Sequence, residues 1–492
     1  MAHRVPVVFY YISYTLLIVS FVSTIPGIYG LIYGDYDIAT LFTTYGLLIA
    51  LLSRIMMVKL EPSGRLRLED AMIIAALSWI LIPLLSAIPA YMSLGIPFPD
   101  AWFEATSGFT TTGLTIFSGS IDPAFNTYIP DVESLPHAIL LWRSILQWIG
   151  GIGILVVISA FIIGGTLPSH LLAFAEARYE RILPSMRRSM QVFVEIYLVL
   201  TLVSTILFWL SGMPLFDSVN HAMTGLATGG FSVKNKSFAA YNSVPIEIAA
   251  ILVMSFGAAN FADHYRILRG RLNAIKESME LRAYLTVIGI SSLLVIIVLV
   301  ENKWLIDEAT RKTVFQVVSA VSGTGFQTMD LSRAPEDSKF ILSIIMLIGG
   351  SVLSTTGGFK LYRLLVLTSI VKWSTREVEK VHGIVVVRKI GRNTVSCEDC
   401  LKAIAVIGAY FATWIISSII AAVLDPNAPF IDVVFETASA LGNVGLSTGV
   451  LSASSPLSLK LLYIVLMTLG RLEILTYMAV LVALREKRVF KK

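Results

Sequence analysis

Ser107–Thr115 reads SGFTTTGLT, a polar run containing glycine, set among segments apolar enough to cross a bilayer. The pattern returns as Thr224–Ser232 (TGLATGGFS), Ser319–Gln327 (SAVSGTGFQ) and Ser439–Ser447 (SALGNVGLS). Aligned without gaps, the seventh position is glycine each time (Gly113, Gly230, Gly325, Gly445), and the eighth is Leu114, Phe231, Phe326 or Leu446. The register continues upstream. Asp100, Asp217 and Asp432 stand seven positions before the motif, with Lys312 in the third copy. Phe103, Phe315 and Phe435 stand four before it, with Asn220 as the exception, and Glu104, His221, Gln316 and Glu436 follow. Four copies of one unit organise the chain.

Composition sets the environment. Of 492 residues 55% are hydrophobic and 14% charged, against about 25% charged in soluble proteins. That length accommodates roughly a dozen spanning helices of about 20 residues each. The net charge of +5 is no nucleic-acid signature, because the basic residues fall in loops between spans. The apolar run from Val5 lacks a small-residue cleavage site, so the first span reads as retained. Cys397 and Cys400, in CEDC, supply two of the four ligands of a structural zinc and have no second pair; they read as reduced thiols beside a helix start.

Residues Val5–Tyr33 and Ile38–Val58 read as two leading spans, a hairpin over 1–60. The first unit (61–170) takes a span over Leu68–Leu94, containing Pro83 and Pro89, a short segment Pro99–Thr106, the loop, and a span over His137–Ile163. The second (171–275) uses Met190–Leu210, Phe216–Met223, the loop and Pro245–Leu268. The third (276–392) uses Leu281–Val300, Arg311–Val318, the loop and Phe340–Val371. The fourth (393–492) uses Leu401–Leu424, Phe430–Ala438, the loop and Leu457–Leu484. The expectation is an all-α integral membrane protein with ten crossings and four re-entrant loops. Lys59, Arg65, Arg67, Arg187, Arg188, Arg266, Arg269, Arg271, Lys372 and Arg388 share one side with the basic tail; Asp35, Asp37, Asp131, Asp307 and Asp425 lie on the other. The positive-inside rule places both termini in the cytoplasm and the four loops outside.

Non-helical backbone at membrane depth is tolerated only where it is buried in protein or lines water. Four such loops, each preceded by a half-helix, can close around a pseudo-fourfold axis and aim carbonyls at it, replacing the hydration shell of a large monovalent cation. The filter candidates are Thr111, Thr112, Gly113 and Leu114; Thr228, Gly229, Gly230 and Phe231; Gly323, Thr324, Gly325 and Phe326; and Asn443, Val444, Gly445 and Leu446. Glycine reaches backbone angles closed to other residues and keeps the axis free of side chains. Simple helix-packing use of small residues explains neither the register nor the upstream Asp and Phe.

With these repeats and the GRLEI run (Gly470–Ile474), the chain resembles the Trk/Ktr/HKT superfamily of potassium transporters, and most closely its TrkH/TrkG branch. The resemblance covers nearly the whole chain. It implies a pore-loop protein of the cytoplasmic membrane, embedded in lipid, that binds potassium ions at the filter and carries no covalent cofactor. A glycine in each filter is associated in that superfamily with potassium, and a serine in the first filter with sodium. It also implies a homodimer seated on a cytoplasmic nucleotide-binding regulatory ring.

Arg471 stands mid-span in the last helix, and Glu473, two positions on, faces elsewhere. The residues alone leave open a cation-repelling barrier and an arginine paired with helix carbonyls of another unit; the resemblance implies the barrier. In the long second span of unit three, Gly349, Gly350, Ser351, Ser354, Thr355, Thr356, Gly357 and Gly358 argue for an unwound middle, which the resemblance implies is a gate. It is no P-loop, since no GK[ST] follows. Lys360 either holds that segment or snorkels. Asn260, Asp263 and His264 read as a structural polar cluster, Trp142, Arg143 and Gln147 as packing residues, and Gly150–Gly153 (GGIG) as close helix packing.

A secondary transporter with broken helices is the rival within transport, although that architecture usually shows two repeats rather than four. A sodium-permeable member of the same superfamily is the other alternative. An enzyme is excluded for want of any HExxH, paired intramembrane aspartates or Ser–His pair on adjacent spans.

Overall fold

The computed structural model describes residues 5–60, 68–153, 183, 185–378, 388–391, 393–472 and 477. Helices α1 (Val5–Tyr33) and α2 (Tyr36–Lys59) form a tight hairpin. Glycines let them touch. A Cβ on Gly27 would lie 2.4 Å from Thr43 Oγ1, and one on Gly46 2.2 Å from Thr24 Oγ1, the close approach that small residues permit between membrane helices.

The first unit runs through α3 (Leu68–Leu94), the short α4 (Phe98–Phe109), a hairpin of β1 (Ser118–Asp122) and β2 (Thr127–Asp131), and α5 (His137–Ile152). The second comprises α6 (Met186–Leu210), α7 (Leu215–Leu226) and α8 (Val244–Ala258), followed by α9 (Phe261–Leu268) and α10 (Asn273–Glu277). The third has α11 (Met279–Glu301), α12 (Ile306–Val321), α13 (Glu336–Met346) and α14 (Leu361–Val378). Two-residue strands β3 (Lys389–Ile390) and β4 (Asn393–Thr394) precede the fourth unit, α15 (Cys397–Leu424), α16 (Phe430–Gly442) and α17 (Leu457–Leu472).

Among the described residues six helices are long and apolar enough to cross a bilayer: α1, α2, α3, α6, α11 and α15. Their outward faces stay apolar, as with Leu293 and Leu294 on α11 and Ile415, Ile416 and Ile419 on α15, all exposed. Helices α5 and α17 stop at the border of the described residues, and the rest of their expected spans lies outside them.

The short helices α4, α7, α12 and α16 are the buried centre of each unit. Phe103, Phe315 and Phe435 are fully buried. Pro97, Pro214 and Pro429 occupy three of the N-caps, with Asp100, Asp217 and Asp432 in the first turn, where a carboxylate meets the positive end of the helix dipole. That accounts for the upstream aspartates.

Two expectations are corrected. The short helices run further than the sequence indicated, through Phe109, Leu226, Val321 and Gly442, so each motif's first three residues are the helix's last turn rather than loop. The span expected over Pro245–Leu268 is two helices, α8 and α9, bent by 105°. The break exists because another segment takes its backbone groups. Ala258 O accepts from Ser351 N (2.9 Å), Gly257 O from Thr355 N (3.2 Å), and Phe261 N donates to Leu353 O (2.8 Å).

Candidate functional site

All four short helices end in one way. The fifth motif position is left-handed in every copy: Thr111 (φ 55), Thr228 (φ 53), Gly323 (φ 68) and Asn443 (φ 53). The sixth N–H returns to the first carbonyl: Thr112 to Ser107 (2.9 Å), Gly229 to Thr224 (2.8 Å), Thr324 to Ser319 (3.0 Å) and Val444 to Ser439 (2.9 Å). The fifth N–H bonds the second carbonyl at 3.0–3.2 Å, completing a Schellman cap four times. A β-branched residue is an outlier in the left-handed region. Thr111 and Thr228 therefore hold strain of about 1–3 kcal/mol each, the kind concentrated at functional sites.

The seventh-position glycines then meet head to tail. A Cβ on Gly113 would lie 2.1 Å from Gly229 O, on Gly230 2.0 Å from Thr324 O, on Gly325 2.0 Å from Val444 O, and on Gly445 2.1 Å from Thr112 O. Each unit's glycine thus presses on the sixth-position carbonyl of the next unit, and the fourth closes on the first. All four glycines have φ between 77° and 92°, so neither space nor backbone angle admits a side chain.

The position after the repeated phenylalanine braces the chain leaving this ring. Glu104 accepts from Thr115 Oγ1 and Ile116 N (3.0 and 3.2 Å), His221 Nε2 bonds Ser232 Oγ (2.9 Å), Gln316 accepts from Thr328 N (3.3 Å), and Glu436 accepts from Ser447 Oγ and Thr448 N (2.5 and 3.0 Å). Three kinds of side chain thereby do one job.

Ion pairs clamp unit to unit. Lys460 of α17 bonds Asp100 and Asp122, both at 2.7 Å, and Lys339 of α13 bonds Asp432 at 2.6 Å. Between units two and three the polarity is reversed, Glu247 of α8 pairing with Arg311 at 2.8 Å. Lys312, which stands at the aspartate position of that unit, turns instead to its own loop, its Nζ donating to Thr328 O at 2.7 Å.

Arg143 and Gln147 do more than pack. Arg143 pairs with Glu104 (2.7 Å), donates to Ser232 O (2.9 Å) and lies 4.0 Å over the Phe231 ring. Gln147 Nε2 donates to Gly229 O (2.6 Å) and its Oε1 accepts from Phe231 N (3.0 Å). Both were legible only as polar residues on an apolar helix. Asn260, Asp263 and His264 share the first turn of α9, where Asn260 O accepts from Asp263 N (2.9 Å) and His264 N (3.3 Å), while their side chains reach Glu280, Arg266 and Phe256 O respectively.

On one side of the ring lies a cavity of about 500 Å³, lined by Gly113, Gly230, Gly325 and Gly445 together with Asp131 and Lys234. Hydrogen bonds from Ser134 and Asn235 hold the Asp131 carboxyl below its usual range, so it stays ionised.

On the other side runs the non-helical stretch between α13 and α14. Its polar groups are met partly within the stretch and partly by neighbouring segments, as the membrane interior demands. Leu361 N reaches Gly350 O (3.0 Å), Gly350 N reaches Thr356 Oγ1 (2.9 Å), and Ser354 Oγ reaches Ser351 O (2.5 Å). Glycine is required where the turns are tightest, at Gly349 (φ 75) and Gly358 (φ 72). Gly357 packs against Gly442 O. Lys360 Nζ bonds Thr356 O and Oγ1, so it holds the stretch. Thr355 Oγ1 touches Leu226 O (3.0 Å) and Thr228 Oγ1 (3.2 Å), against the second copy of the loop. The Thr355 carbonyl accepts from Arg471 (2.5 Å), whose other guanidinium nitrogen reaches Gly150 O (2.7 Å) and which lies 5.5 Å over Trp79. Arg471 therefore does bond carbonyls of other units, and it does so under the ring.

A family model described as TrkH, cation transport protein, matches residues 39–492. An uncharacterised cation transporter of Methanocaldococcus jannaschii is 31% identical over 96% of this chain and 95% of its own. The Trk system potassium uptake protein TrkH of Salmonella typhimurium is 30% identical over 94% and 95%. The crystal structure of the potassium transporter TrkH from Vibrio parahaemolyticus shares the fold with a TM-score of 0.80, covering 98% of this chain and 99% of that one at 24% identity. With its membrane helices, fourfold ring of loops and near full-length relatives, this chain belongs to the TrkH family of cation transport proteins, which are ion transporters and not enzymes.

Proposed function

We propose that the chain carries potassium across the cytoplasmic membrane through a filter formed by motif positions five to eight of all four units. The observation that carries this reading is the closed ring in which Gly113, Gly230, Gly325 and Gly445 each abut a neighbour's carbonyl. Carbonyl oxygens fixed by Schellman caps replace hydration without reorganising, and the C-terminal ends of four helices add a field favouring a cation. Glycine in all four copies supports potassium over sodium, and the names of the relatives agree.

Beneath the filter, Arg471 acts as a positive barrier and residues 349–358 as the gate. A single arginine bonded to Thr355 O and Gly150 O ties the gate segment to the first and fourth units, so opening requires those bonds to be exchanged. Arg471→Ala is expected to raise the initial rate of potassium uptake into proteoliposomes several-fold with the potassium-to-sodium ratio unchanged. An unchanged or lower rate counts against the barrier.

The same reading places the termini and basic loops in the cytoplasm. Exposed Arg266 in the last turn of α9, with Arg269 and Arg271 just after it, provides a surface for a nucleotide-binding regulatory ring, and a second copy completes a homodimer. The primary test is flux of potassium, rubidium and sodium into proteoliposomes without organic substrate. Ion density between the four glycines and preference for potassium are expected; absence of cation flux sinks the reading.

A further inference from the structure

One quarter of the ring is built differently from the rest. At motif position six, Thr112, Thr324 and Val444 carry side chains, whereas Gly229 has none. The space is not empty. A Cβ on Gly229 would lie 2.4 Å from Cδ of Gln147 and 2.5 Å from its Oε1. The Gln147 carboxamide, reaching over from α5 of the first unit, fills the place that a side chain takes in the other copies. It also bonds the strand on both sides of Gly230, donating to Gly229 O and accepting from Phe231 N.

The repeat register makes the choice of residue informative. Gln147 stands eleven residues after Pro136, the N-cap of α5. Counting the same distance from Ser243, Pro335 and Pro456, which precede α8, α13 and α17, gives Met254, Met346 and Met467. All four side chains are fully buried. Methionine matches glutamine in length and shape but offers no amide. A buried glutamine left without partners is strongly disfavoured, so the polar residue stands where the missing side chain at Gly229 exposes backbone for it to bond.

We propose that Gln147 is a positioning residue for cation selection: it replaces the absent position-six side chain and fixes the Gly229 carbonyl, one of the four that face the ring glycines. This rests on the filter reading above. Because that carbonyl shares its lone pairs with an amide, it is a weaker cation ligand than its three counterparts, and the ring is asymmetric in field strength as well as shape. Exchange of the amide for an isosteric thioether removes both bonds while keeping volume. The expected change in relative cation affinity is about three- to tenfold, the upper end corresponding to about 1.4 kcal/mol, the scale of one net hydrogen bond.

The test compares full-length wild type with Gln147→Met and Gln147→Glu in proteoliposomes, reading potassium, rubidium and sodium uptake and the thermal midpoint of each variant. The proposal expects the potassium-to-sodium ratio to fall three- to tenfold in Gln147→Met with little change in midpoint. Gln147→Glu, which keeps the acceptor for Phe231 N but loses the donor to Gly229 O, should also shift the ratio. An unchanged ratio, or a loss of all fluxes in proportion with a lowered midpoint, overturns it, since a packing role alone gives that result. If neither variant folds, ion-bound wild type decides: the Gly229 carbonyl must remain on Gln147, and finding it rotated onto an ion overturns the proposal. Wild type that does not distinguish potassium from sodium instead sinks the filter reading, which separates the two failures.

Discussion

Gly113→Ser is expected to cut discrimination between potassium and sodium by at least about tenfold, which needs a shift of only 1.4 kcal/mol between the two ions. At φ 90° and with Gly229 O 2.1 Å from where a Cβ would sit, serine cannot enter the ring as it stands. Either the Gly113 backbone rotates or the Gly229 carbonyl retreats, and both change the shape of the site on two units at once. Control positions separate clash from strain. Gly212 also has positive φ (96°) but nothing within 4 Å of its Cβ direction, so Gly212→Ala should cost about 1 kcal/mol of stability and leave selectivity alone. Uptake of each cation by wild type, Gly113→Ser and Gly212→Ala measures the difference; a Gly113→Ser protein with native selectivity would falsify the filter assignment.

Lys460→Met is expected to produce the largest loss of stability, about 3–5 kcal/mol, the range seen when one partner of a buried ion pair is removed. The lysine is fully buried and serves Asp100, Asp122 and Ala453 O together. Without it two carboxylates are stranded in a site closed to water, and the β1–β2 hairpin loses its attachment to α17. A clear drop in thermal midpoint of the detergent-solubilised protein is the readout. Lys402→Ala, which removes an exposed i,i+4 pair with Glu398, should leave the midpoint nearly unchanged because such pairs contribute little. Equal behaviour of the two variants would contradict the clamp.

Both predictions arise from relations between units, and that is where sequence and structure part. Four registered glycines, the apolar spans and the unwound stretch around Gly349–Gly358 were readable from the chain, because lipid demands long apolar runs and a strained backbone demands glycine. The upstream Asp and Phe were readable as a pattern but not as a cause; the helix dipole and a buried ring supply it. The break between α8 and α9 left one local sign, the Asn260 N-cap, but the carbonyls it frees are taken by residues some ninety positions later, which no local pattern shows. Gln147, too, looked like one polar residue on an apolar helix until Gly229 was seen beside it.

SGFTTTGLT and its three registered copies were enough to show a membrane protein built from four repeats of one element, because register and glycine are local properties. How the copies meet emerges from the folded chain alone: Gly113 on Gly229, Gly445 back on Thr112, Lys460 on Asp100, Arg471 on Thr355. Those pairings lie between units far apart in the chain, and no local pattern encodes a contact whose two halves obey separate local rules.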